Sequence, residues 1–195
     1  DQQLADSLSK TNPLILVSDG GARPHIETGS YGWVLGTSQL ELASGSGVVT
    51  GSPLQSFRCE ALGRLSGLLF LYRYSQYHKI AIHCPVHTYL DNTSVIDREA
   101  EFLDHQYLYP SLAQTGDSDV FFQLRDIHTK LGCALRTSHV KGHQDRQTPY
   151  ECLPREAQLN VLADNLATQV LDNLETKPPN ERLDPIILPA GRIHL

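Results

Sequence analysis

Two aspartates stand where a charge is costly. Asp19 closes the run Pro13-Leu-Ile-Leu-Val-Ser-Asp19, and Asp91 closes Thr88-Tyr-Leu-Asp91. An ionised side chain at the end of an otherwise apolar strand must be paired, hydrogen-bonded or bound to metal. Either aspartate alone would serve to cap a turn. Two of them on neighbouring strands would repel each other, and a divalent cation resolves that repulsion. Glu60, in Phe57-Arg-Cys-Glu-Ala-Leu-Gly63, and Asp164, in Asn160-Val-Leu-Ala-Asp-Asn-Leu-Ala167, are two further acids on apolar helices. Helix-dipole stabilisation also accounts for Glu60. Asp164 projects about 140° from the centre of its helix's apolar stripe, where a solvated face explains it equally well. Histidine pairs at metal-binding spacing are not convincing: Gly142 interrupts His139 and His143, and Pro85 separates His83 from His87.

The elements that must position these acids follow from periodicity. The run from Pro13 to Asp19 suits a strand covered on both faces and ended by Gly20-Gly21. Gly29–Thr37 and Leu40–Thr50 read as two more strands, completing an antiparallel meander. From Ser56 to about Gln76 the pattern is helical, with Ala61, Leu65, Leu68, Leu69 and Tyr72 on one stripe. A strand over Pro85–Asp91 follows, then Asn92-Thr-Ser as a helix cap. Short helices and loop are expected from Asp97 to Gly116, a helix over Val120–Leu131, a strand over Ala134–Val140 and a long helix over Glu156–Leu174. By the right-handed crossover rule the first and fourth strands lie parallel and adjacent, which sets Asp19 beside Asp91. This is an α/β arrangement, expected to run from residue 13 to 176 between an N-terminal linker (1–12) and a C-terminal linker or extension (177–195).

Composition narrows the class. The chain has 195 residues, 40% apolar and 19% charged, and a formal net charge of −6. One folded domain of ordinary composition is expected, and no apolar run is long enough to span a bilayer. Four scattered cysteines with no C-x-x-C, and no signal-peptide layout, suggest reduced thiols in an intracellular protein. The absence of methionine suggests a piece of a longer reading frame. A net negative charge argues at first sight against nucleic acid.

Six blocks change that expectation. Ser18-Asp19-Gly-Gly-Ala-Arg23, Tyr31-Gly-Trp33, Arg58-Cys-Glu60-Ala61, Tyr89-Leu-Asp91-Asn92, Val140-Lys-Gly-His143 and Asn160-x-x-x-Asp164-x-x-Ala167 occur in this order. Together they resemble type 1 ribonuclease H, and in motif style the ribonuclease H domains of retrotransposon-type elements. The resemblance implies a ribonuclease H-like fold: a mixed five-stranded sheet, three strands in an antiparallel meander plus two further strands, with helices on both faces. It implies that Asp19, Glu60, Asp91 and Asp164 form a four-carboxylate site for two Mg²⁺ ions, with Mn²⁺ able to substitute. Hard oxygen ligands suit these cations, and the scattered Cys and His do not suggest zinc. It further implies that His143 lies on a mobile loop beside the site and assists proton transfer or product release. The loop from Asp145 to Arg155 is longer than in compact members of the family.

The implied activity is endonucleolytic hydrolysis of the RNA strand of RNA–DNA hybrids, within a retroelement polyprotein whose reverse transcriptase supplies much of the grip. The expected nucleic-acid contacts are Gly20, Arg23, Ser56, Arg58, Asn92, Lys141 and Asn160. The charge is uneven. Residues 58–79 and 130–146 each carry four bases and one acid, whereas 97–119 carries six acids and one base. The basic segments are expected to flank the site and the acidic one to lie away from it. The sequence leaves open a catalytically silent binding or structural domain, or a DNA-directed nuclease on the same fold.

Overall fold

Alternation divides the strand side chains between two cores. In the computed structural model, which describes residues 2–49, 54–104, 110–178, 181 and 192–194, β1 spans Leu14–Arg23, β2 Thr28–Gly36 and β3 Glu41–Val49. Leu14, Leu16, Tyr31, Trp33 and Leu35 enter one core, and Val17 and Val34 enter the other. Both faces are therefore covered along Leu14–Val17 of β1 and Trp33–Leu35 of β2, which is why those stretches read as unbroken apolar runs. β2 pairs antiparallel with both β1 and β3, forming the expected meander.

Two further strands complete the five-stranded sheet anticipated from the sequence. β4 (Val86–Leu90) lies parallel to β1 with Leu14 opposite Val86, and β5 (Leu135–His139) lies parallel to β4. Helices cover both faces. On the first, α2 (Ser56–His78), α3 (Thr93–Asp104) and α5 (Ser118–Leu131) bury Leu65, Leu68, Phe102, Phe121 and Leu124. On the second, α6 (Arg155–Glu175) buries Ala157, Leu159 and Ala163. A four-residue helix, α4 (Pro110–Ala113), precedes α5.

Three sequence expectations need correction. β1 does not stop at Gly20-Gly21 but continues to Arg23, because β2 pairs with it along its whole length. What ends near Asp19 is the parallel pairing with β4, whose last partners are Val17 and Tyr89. The segment 1–12 is not a bare linker. It contains α1 (Gln2–Leu8), whose Leu4 and Leu8 are buried in the first core, with the Leu8 carbonyl accepting from His83 N at 3.0 Å. Most of 177–195 lies outside the described residues. Within it, however, β6 (Arg192–His194) pairs antiparallel with Ser44–Ser46 on the outer edge of β3, giving the order β5-β4-β1-β2-β3-β6.

Candidate active site

Four elements bring the four acids to one end of the sheet. Asp19 leaves β1 just past its pairing with β4, and Asp91 follows β4 directly. Glu60 enters from α2, which packs very close to β1: a Cβ on Gly20 would lie 2.5 Å from the Cys59 carbonyl carbon and 2.6 Å from Glu60 N. Gly20 is thus the contact that seats the first turns of α2, and with them Glu60, against the strand. Asp164 arrives from α6 on the opposite face, partly exposed.

The electrostatics show that the acids are neighbours. Asp19 is 7% exposed and Glu60 6%. Burial, followed by the charges of Asp91 and Asp164, pushes the Asp19 carboxyl up to about 7, against a hydrogen bond from Gly20 N. Burial raises Glu60 further still; Asp91 adds to the rise, partly offset by a hydrogen bond from Asn92, and Asp19 contributes last. Glu60 Oε2 and Asp91 Oδ1 are buried with no hydrogen-bond donor. Unpaired buried acceptors of like charge are what a bound cation would satisfy.

Among the described residues no three His, Cys, Asp or Glu side chains converge into a ready-made metal cage. The carboxylates gather more loosely than that. Their all-oxygen chemistry and the two orphaned oxygens nevertheless fit a hard divalent cation. Around them, Asn92 Nδ2 donates to Glu60 Oε1 at 3.1 Å, while Asn92 Oδ1 accepts from Ser94 N at 3.0 Å and so caps α3. His143 takes a left-handed conformation, φ 51°, and its Nδ1 lies 3.7 Å from Asp164 Oδ2 with half of the side chain exposed. The preceding Gly142 packs closely on the site: a Cβ there would sit 2.6 Å from Asp91 Oδ2, so that carboxylate would have to turn aside. His139 Nε2 lies 3.1 Å from the Asp91 carbonyl oxygen.

The expected nucleic-acid contacts fare differently. Ser56 and Lys141 are exposed, Ser56 at the start of the helix that carries Glu60 and Lys141 two residues before His143. Gly20 is covered by α2, and Asn92 is committed to Glu60 and Ser94. Asn160 is 2% exposed, with Oδ1 buried and unpartnered, so it faces the protein and not a groove. Arg23 is bound to Asp172 and Glu175. Arg58 bridges Asp117 at 2.7 Å and Asp119 at 2.8 Å, with 12% of its side chain exposed. The acidic segment therefore does not lie away from the site. Its end folds back to neutralise a base two residues before Glu60, a pairing across 59 and 61 residues that local reading cannot see. Arg64, counted among the flanking bases, is 1% exposed and sits inside the first core. Its position on an apolar stripe between Ala61 and Leu68 was the available signal.

Solved structures with this architecture identify the fold. No protein-family profile and no curated protein sequence matches the chain. The N-terminal ribonuclease H domain of a Mycobacterium tuberculosis protein superimposes with a TM-score of 0.56 at 18% identity, covering 84% of this chain and 96% of that one. LC11-RNase H1, obtained from compost and crystallised with an RNA/DNA hybrid, gives 0.59 at 17% identity, covering 84% and 99%. The protease–reverse transcriptase of prototype foamy virus gives 0.50 at 17% identity, covering 83% of this chain and 21% of that one. The chain has the ribonuclease H fold, as its six sequence blocks imply. No described helix is long and apolar enough to cross a membrane.

Proposed function

We propose that this chain hydrolyses the RNA strand of RNA–DNA hybrids with divalent cations held by Asp19, Glu60, Asp91 and Asp164. The observation that carries the reading is the gathering of buried, mutually repelling carboxylates at one end of a ribonuclease H fold, with Glu60 Oε2 and Asp91 Oδ1 left without donors. Cations bound there would supply Lewis acidity, activating water and neutralising charge on the phosphodiester. The chain's own groups do the rest. Asn92 fixes one Glu60 oxygen and leaves the other for ligation. Gly142 lets the following loop close against Asp91, which carries His143 to the mouth of the site. His143, with Nδ1 beside Asp164, exchanges a proton with solvent or product.

Mg²⁺ is the proposed ion, two per site, with Mn²⁺ as substitute. With Arg23 and Arg58 held in ion pairs, hybrid binding by the isolated chain is weak and salt-sensitive. A reverse transcriptase domain in the same polyprotein would add the missing grip, as the likeness to the foamy virus protein suggests. The test is incubation with labelled RNA–DNA hybrid, double-stranded RNA and double-stranded DNA, each with Mg²⁺, Mn²⁺ or EDTA. Cleavage of the hybrid's RNA strand alone, abolished by EDTA, is expected. Cleavage of DNA, or binding without cleavage under any metal, would overturn the reading.

A further inference from the structure

One helical turn past Glu60, α2 buries an arginine. Arg64 Nε donates to Glu99 on α3 at 2.8 Å, and its Nη2 donates to Thr137 Oγ1 on β5 at 2.8 Å. Glu99, 2% exposed, also meets His128 Nε2 of α5 at 2.9 Å. The Thr88 hydroxyl of β4 lies 3.2 Å from Thr137 Oγ1 and 3.1 Å from the Arg136 carbonyl. A single polar bridge thus joins three helices to two strands. Each strand it touches leads to the site: Thr88 lies three residues before Asp91, and Thr137 six before His143.

Stability alone does not call for such a bridge. Apolar side chains of similar volume generally stabilise a core as well as a buried ion pair or better. What an apolar contact lacks is direction. It tolerates a helix sliding along a sheet, whereas a planar guanidinium with acceptors on two different elements does not. We propose that Arg64 is a positioning residue: its bridge to Glu99 and Thr137 ties α2 to α3 and β5, and so fixes Glu60 relative to Asp91. This rests on the carboxylate site being the reaction centre.

The decisive variant is the triple replacement Arg64→Met, Glu99→Leu and His128→Leu, which removes every charge of the bridge together and leaves none stranded. It is expected to fold with a melting temperature near or above that of the parent. Two readouts report on the site: the Mn²⁺ concentration that half-saturates the rise in melting temperature, and steady-state cleavage of the hybrid. The Mn²⁺ midpoint should rise about tenfold and kcat fall about tenfold, with KM for the hybrid unchanged. Thr137→Val, which keeps all three charges, should move both readouts the same way by less, and it decides the matter if the triple variant fails to fold. Arg64→Lys keeps the charge beside Glu99 but cannot fork to Thr137, and should move both readouts in the same direction as Thr137→Val. A folded triple variant with parental Mn²⁺ midpoint and kcat would overturn the proposal. A parent that neither responds to Mn²⁺ nor cuts hybrid would instead overturn the reading of the site itself, and this inference with it.

Discussion

Two polar clusters lie one turn apart on α2, and they are built on opposite principles. The cluster around Arg64 balances its charges and gives each named donor an acceptor: guanidinium to carboxylate and hydroxyl, imidazole to carboxylate. Burial works against ionising Glu99, yet Arg64 and His128 outweigh it and hold the carboxyl below its ordinary range. The cluster around Glu60 is all of one sign, with the Asp19 and Glu60 carboxyls held above their ordinary range and two oxygens unpartnered. A satisfied network defines geometry. An unsatisfied one keeps unmet valence for something that arrives later.

That contrast predicts opposite responses to neutralisation. Asp91→Asn should lower Mg²⁺-dependent hybrid cleavage by at least about a thousandfold. The same change should raise the metal-free melting temperature, because it relieves repulsion at Glu60 and Asp19. Parental cleavage by this variant would break the site assignment. Glu99→Gln should act in the other direction, costing about 3–5 kcal/mol in denaturant titrations because it strands a buried guanidinium. If both substitutions destabilised equally, the distinction between the clusters would be lost.

Proton linkage also separates the two clusters. The Asp19 carboxyl moves from 3.8 to about 7 on folding, chiefly through burial and then through Asp91 and Asp164. Between those values the native chain holds a proton that the unfolded chain has released, so metal-free stability is greatest below the window and falls as pH rises through it. Glu60, raised for similar reasons, carries the loss to higher pH. Thermal melts in EDTA across this range should show the decline. Asp19→Asn should remove roughly half of it up to about pH 7, Glu60 accounting for the rest, and Mg²⁺ should offset it at neutral pH. A flat profile in the parent would show that the carboxylates are not buried against one another.

Smaller effects test the periphery. His143→Ala should slow hybrid turnover about tenfold while leaving the Mn²⁺ midpoint unchanged, since His143 stands beside the acids and not among them. An unchanged rate would remove it from the chemistry. Arg58→Gln should cost about 1 kcal/mol of stability by releasing Asp117 and Asp119. It should leave the salt dependence of hybrid binding unaltered, because that charge is already spent within the chain. A shallower salt slope would place Arg58 on a phosphate after all.

Five strands of the sheet, the helices on its faces and the meeting of Asp19 with Asp91 were legible from residue order, because apolar periodicity and crossover handedness are local and generic constraints; the edge strand β6 was not. Residue order placed β5 and α6 within a residue or two. It also nominated Glu60 and Asp164, though on residue pattern alone each had an ordinary alternative. Which charges are available depends on contacts between distant residues. Arg58 and Arg64 look alike on one helix, yet the first is held by acids about sixty residues away and the second by Glu99, 35 residues on. Asn160 reads as a polar residue beside Asp164 and proves to be buried, and residues 1–12 read as a tail and contribute two leucines to the core. Charge pairing and burial are properties of neighbours in space, and sequence spacing carries no record of them. The local pattern thus located the carboxylates, and the long-range contacts left two of their oxygens, Glu60 Oε2 and Asp91 Oδ1, without donors.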